Sequence, residues 1–168
     1  FEGMAISPDG QYLYPLLEKP LSNDSTGQLI LSQFDLKKKA YTGQYYLFNL
    51  DSKATAIGDF QLFSATEGVI IERDDTENNL GGYKKLIKVK LKDSGQTIER
   101  EEIVNLMDIA NPNLLYGTPR DGDIAVGERF GFPFQTIEDL IIEDGRTLTI
   151  WTVPGLSETF LFKLSHLT

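Results

Sequence analysis

Short apolar runs rich in β-branched and aromatic residues recur along the chain between turn signals: Tyr12-Leu13-Tyr14, Leu29-Ile30-Leu31, Gly68-Val69-Ile70-Ile71, Leu86-Ile87-Lys88-Val89 and Leu148-Thr149-Ile150-Trp151. Runs of this kind, bounded by Gly, Pro, Asn and Asp, predict strands. Lys85 to Leu91 alternates lysine with apolar groups, as a half-buried or outer sheet strand with a solvated lysine face would. Only Arg100 to Ile109 has helical spacing, with Ile103, Leu106 and Met107 recurring ahead of Pro112, and it predicts one short helix.

A repeat organises these strands. Three segments share an acid-bearing entry, an apolar strand, a turn and a second apolar strand: Glu2 to Glu18, Gly58 to Asp74, and Glu138 to Trp151. Each predicts a hairpin, with turns at Ser7-Pro8-Asp9-Gly10, at Ser64 to Gly68 and at Glu143-Asp144-Gly145, where a positive-φ glycine closes the turn. Further strand pairs fall between them, Gln28 to Leu36 with Gln44 to Leu50 and Lys84 to Leu91 with Glu99 to Val104, so each repeat amounts to one four-stranded unit. A small antiparallel unit that recurs and cannot bury both faces alone predicts an all-β chain forming a partial β-propeller of four-stranded antiparallel blades. The uneven spacing, 57 residues from Glu2 to Asp59 and 79 from Asp59 to Glu138, keeps a β-sandwich as the alternative.

At 168 residues the chain has the length of a single domain, yet it supplies two complete units and the start of a third, too few to close a ring. The reading is a fragment of a longer propeller, starting at Phe1-Glu2-Gly3 without an initiator Met, or a chain whose open sheet edges pair with another. Composition narrows the partners. With 25 acidic against 16 basic side chains the net charge is −9, which repels phosphate backbones and anionic lipid, so no nucleic-acid groove is expected. No stretch approaches the roughly 20 apolar residues of a membrane-spanning helix, so no membrane insertion is expected. The absence of Cys excludes disulfides, thiolate metal sites and thiol nucleophiles.

In an antiparallel hairpin the first strand starts beside the end of the second. That expectation puts Glu2 beside Glu18, Asp59 beside Glu72 and Asp74, and Glu138 with Asp139 beside Thr152, seven carboxylates gathered on one channel rim. Clustered carboxylate oxygen with a single His and no Cys selects Ca²⁺ or Mg²⁺, calcium first. In that reading Glu2, Asp59, Asp74 and Asp139 are the metal ligands, Glu72, Arg73 and Glu138 the catalytic groups, and Arg73 neutralises the cluster or forks onto an anionic substrate. The third copy departs: its rim position is uncharged Thr152, in Trp151-Thr152-Val153-Pro154-Gly155.

The chain resembles the phytase-like family described as esterase-like activity of phytase. The resemblance rests on Phe1-Glu2-Gly3-Met4-Ala5-Ile6-Ser7-Pro8-Asp9-Gly10 with Leu17-Glu18, Tyr41-Thr42-Gly43-Gln44 with Leu50-Asp51, Ile57-Gly58-Asp59-Phe60 with Ile71-Glu72-Arg73-Asp74, and Phe132 to Asp139 in the order Phe-Pro-Phe-Gln-Thr-Ile-Glu-Asp. It implies the C-terminal part of a propeller, hydrolysis of a small-molecule ester or phosphoester, and an extracellular or periplasmic location. The family pattern ends its third hairpin in Asn-Asp, where this chain has Trp151-Thr152, which leaves activity open and keeps a non-catalytic binding or scaffold module as the alternative.

Other motifs carry less. There is no Gly-x-Ser-x-Gly elbow, Walker loop or Gly-x-Gly-x-x-Gly. His166, the only histidine, reads as an incidental polar residue, Asp121-Gly122-Asp123 with Glu128 as a turn, and Lys37-Lys38-Lys39 as a solubilising tip. Asp74 to Asn79 reads as a solvated loop with some cation potential, and Asn23-Asp24-Ser25 as a glycosylation acceptor only on a eukaryotic secretory route. The long irregular stretch Asn105 to Gly131 places Tyr116, Arg120 and Arg129 as candidates to reach over the channel mouth.

Overall fold

The structure is a computed structural model that describes residues 1–24, 26–114, 118–143, 147–152 and 160–163, with residues 143, 147–152 and 160–163 described by their backbone. Tyr116, His166, Ser25, the turn Asp144-Gly145 and the tail Val153-Pro154-Gly155 lie outside the described residues. The described chain is all-β, with antiparallel pairing throughout its sheets.

Strands β1 (Gly3–Ile6), β2 (Tyr12–Leu16), β3 (Gln28–Asp35) and β4 (Ala40–Asn49) form the first four-stranded sheet in sequence order. The second is β5 (Ala56–Leu62), β6 (Glu67–Arg73), β7 (Lys84–Lys90) and β8 (Glu99–Asn105). After the short pair β9 (Ile109–Ala110) and β10 (Arg129–Phe130), a third sheet follows from β11 (Ile137–Glu143), β12 (Thr147–Thr152) and β13 (Phe160–Lys163).

The period-2 alternation of each strand sends apolar side chains to both faces, and the sheets stack to bury them. Ala5, Leu16, Leu31 and Phe48 of the first sheet meet Ile57, Phe60, Ile70 and Val89 of the second. The other face of the second sheet, Val69, Ile71 and Leu86, packs on Phe132, Ile137 and Leu140. A sheet covered on both faces belongs to a stacked series, and β1, β5 and β11, the first strand of each unit, lie side by side along it. This arrangement is consistent with successive propeller blades, and among the described residues the sheets do not close into a ring.

Close approach of these inner strands requires glycine. A Cβ on Gly58 would lie 2.0 Å from the Ile137 carbonyl oxygen, and one on Gly3 would lie 2.9 Å from the Phe60 Cβ. The turn at Ser7 to Gly10 forms as expected, closed by Gly10 N–H donating to the Ser7 carbonyl (2.8 Å) with Gly10 at φ 69°. Gly68 differs from expectation: it lies within β6 without a positive φ, and a Cβ there would come 2.3 Å from the Gln61 carbonyl oxygen.

The helix expected over Arg100 to Ile109 is not formed; this stretch is β8, a turn and β9. The edge of β7 needs a partner, and the β-branched Ile103 and Val104 suit a strand, so pairing overrides the fortuitous helical spacing. Within the lysine alternation Lys85 and Lys88 are half-buried and Lys90 is exposed, while Lys84, just ahead of it, is fully buried.

Candidate functional site

The polar groups concentrate where β5 begins and β6 ends, the end of the inner hairpin opposite its turn. Alternation decides which sheet face each one takes. Glu72 follows Ile70 toward the first sheet, and Arg73 follows Ile71 on the opposite face of the strand.

Glu72 has no exposed surface and is saturated. The Arg100 guanidinium forks onto it (3.0 and 2.6 Å), the Asp51 N–H donates to one oxygen (2.7 Å), and the Tyr83 hydroxyl donates to the other (2.7 Å). Arg100 also donates to the Asn49 carbonyl (2.5 Å) and lies over the Phe48 ring, so the network ties β8 to the end of β4. Burial, then the Glu72 carboxylate, push the Tyr83 hydroxyl well above its usual range. Burial works against the Arg100 charge, and Glu72 outweighs it to raise the guanidinium further.

Arg73 is 3% exposed. It donates to Asp75 (2.7 Å) and has a second guanidinium nitrogen 3.6 Å from the Glu18 carboxylate, while its buried Nε has no acceptor among the described residues. Lys19 completes the group, 3.4 Å from Asp75 and 3.8 Å from Glu18. Directly across the ladder from Arg73 is Lys84, whose buried ammonium pairs with Asp74 and donates to the Asp74 and Thr76 carbonyls (2.8 and 3.2 Å). Burial disfavours charge on Asp74 and Asp75. Lys84, the backbone at Tyr83 and the Thr76 hydroxyl outweigh it at Asp74, and Thr55, Lys19 and Arg73 do so at Asp75, so both carboxyls titrate below their usual range.

Asp59 faces elsewhere. In β5 the register moves from Ile57 opposite Glu72 to Phe60 opposite Ile70, so Gly58 and Asp59 share one partner residue in a β-bulge. The bulge directs the Asp59 carboxylate toward the third unit, where it accepts the Leu140 N–H (2.9 Å) and, from its own strand, the Phe60 N–H (2.6 Å). Burial, the largest influence, pushes its pKa up to about 6 against the pull of those two donors, and the negative charge of Asp139 adds to the rise.

The carboxylate rim is therefore not assembled as the hairpin argument expects. Glu72 and Asp59 share no partner, since strand alternation and the bulge send them to opposite faces of the second sheet. Glu2 and Asp139 are exposed and Glu138 is half-buried. Among the described residues, no group of three or more His, Asp or Glu is placed to hold a metal ion. Glu72, Asp74 and Asp59 have committed their oxygens to Arg100, Lys84 and backbone amides, so as a catalytic group and as calcium ligands they do not fit.

The other charged candidates turn inward on their own loops. Arg129 pairs with Asp108, Arg120 lies 3.6 Å from Asp123, and Asp123 accepts the Arg120 N–H (2.8 Å) in an ordinary turn. Three groups at the rim escape a reading of the sequence: Tyr83, Lys84 and Arg100. Lys84 belongs to a strand that reads as a solvated lysine ladder, and Arg100 to a segment that reads as helix.

The family model for phytase-like proteins, described as esterase-like activity of phytase, matches residues 1–152. The chain belongs to the phytase-like family. The match runs from the inner strand of the first unit to the end of β12, so the phytase-like sequence covers the first two stacked units and the β11–β12 hairpin of the third. None of the curated proteins compared matches the phytase-like chain.

Proposed function

We propose that this phytase-like chain supplies one side of the channel mouth of an ester or phosphoester hydrolase, and that Arg73 is its oxyanion-binding group. The observation that supports this reading is the buried guanidinium held between Asp75 and Glu18 with an uncommitted Nε donor. An unpaired buried donor costs about 1–3 kcal/mol, so a site that keeps one is poised for an acceptor that arrives with the substrate. Two carboxylates fix the guanidinium plane, and Lys19 and Lys84 add positive charge beside it, a set suited to a phosphoryl or carboxylate oxygen. Calcium has no assembled seat among the described residues, and no step is assigned to it. The extracellular or periplasmic location implied by the resemblance accompanies this reading.

The test is turnover of a phosphomonoester panel and of p-nitrophenyl esters, each with calcium and with chelator. Turnover is expected to fall about 100-fold in kcat/KM in Arg73→Gln and to be partly retained in Arg73→Lys. Failure of both ester classes would remove the enzyme reading. A second reading, a non-catalytic binding module, draws on the saturation of Glu72 and Asp74, which leaves neither free as a base. Phosphate binding at Arg73 without turnover would favour it.

A further inference from the structure

The inner strands of stacked sheets pose a backbone problem, because each is paired on one edge only and its other edge carries amides without ladder partners. At the seam between the second and third units this is met by a side chain. Asp59 accepts the Leu140 N–H of β11 and the Phe60 N–H of its own strand, while Gly58 fits against the Ile137 carbonyl with no room for a Cβ. The bulge makes this possible, since an extra residue is needed to bring Asp59 to the edge of β5. The same irregularity recurs in β11 between Ile137 and Asp139.

We propose that the Asp59 carboxylate is a clasp joining the second and third units, and that its charge sets how often this seam opens. The surroundings of the carboxylate fix the sign. From β11 the facing charges are Asp139, which acts on Asp59 directly, and half-buried Glu138 beside it. On β6, Glu72 is turned to Arg100 and Arg73 to Asp75 and Glu18, Glu67 lies near Lys88 at the far end of the strand, and β1 contains no ionisable side chain. Among the described residues no cation offsets the two aspartates at the seam, and burial, the largest influence, disfavours the charged carboxylate. The closed seam therefore holds a proton on Asp59 more tightly than an open, hydrated seam, where the carboxyl returns to its ordinary range near about 3.9.

The group's pKa is raised in the closed state to about 6. Closure is then most favoured at low pH and loses that advantage as pH rises through the closed-state value. Between about pH 5 and about pH 7.5 the closed-to-open ratio falls roughly tenfold. This seam is independent of the hydrolase reading, since it shares no residue with the Arg73 rim.

The measurement is amide hydrogen exchange of the full chain by NMR, normalised to intrinsic exchange rates, at about pH 5 and about pH 7.5. The Leu140 and Phe60 amides are expected to lose about tenfold protection at the higher pH, while Leu31 and Phe48 of the first sheet keep theirs. Asp59→Asn is expected to flatten the response, and direct carbon-detected titration of Asp59 is expected to show a lower pKa in Asp139→Asn than in the unaltered chain. Equal protection at both pH values in the native chain would overturn the proposal. So would a loss shared by Leu31 and Phe48, which would place the effect in global unfolding, or a pH response that survives in Asp59→Asn.

Discussion

At the scale of the residue, the decisive group is Glu72, an acid whose position is legible in the sequence and whose role is not. Its place at the end of a hairpin follows from the repeat, but its partner Arg100 lies on the last strand of the sheet, and only the sheet order brings the two together. A buried carboxylate that loses its cation keeps its desolvation cost. Arg100→Leu is expected to destabilise the fold by about 3 kcal/mol, read as a lower urea midpoint at unchanged m-value. Because the stranded charge causes most of that loss, Glu72→Leu combined with Arg100→Leu should cost less than Arg100→Leu alone. A double variant as unstable as the sum of the two single ones would refute this account. The same logic separates Arg73 from Glu72: adjacent in sequence, they face opposite sides of one strand, and the Glu72 oxygens are filled while the Arg73 Nε is left without an acceptor among the described residues.

At the scale of the element, hairpins and their turn at Gly10 are legible because turn chemistry is local, whereas bulges are not, since a register shift needs both strands. The bulge at Gly58-Asp59 is what defeats the expectation that Asp59 and Glu72 share a site. The misread of Arg100 to Ile109 has a similar origin, for apolar spacing carries no information on whether a neighbouring strand edge awaits a partner. Gly58 gives the sharpest test of the inner-strand packing. A methyl group there meets backbone, which cannot swing aside as a side chain can, so Gly58→Ala is expected to cost about 3 kcal/mol. Gly43, at a positive φ with open space around it, should lose only about 1 kcal/mol on the same change. Comparable thermal shifts for the two variants would show that β5 and β11 approach less closely than the Gly58 contact with the Ile137 carbonyl requires.

At the scale of the whole molecule, stacking covers the second sheet on both faces and the first on one, leaving Met4, Ile6, Tyr41 and Tyr45 exposed on its outer side. The all-β stack and its antiparallel units follow from the periodicity of the chain, but the destination of its acids does not, because charge sums say nothing about which side chains converge. A chain with net charge −9 gains some stability from any divalent cation through screening alone, whatever sites it contains. A true seat behaves differently. Added at 100 times its dissociation constant, a ligand that binds only the folded chain contributes about 2.7 kcal/mol, which raises the melting temperature of a chain this size by several degrees. With the rim acids committed to Arg100, Lys84 and backbone amides, calcium and magnesium at equal ionic strength are expected to give melting temperatures within about 1 °C of each other. A calcium-specific rise of several degrees would instead require carboxylates to converge from outside the described residues, and would restore the metal-assisted reading that the acid repeat first suggests.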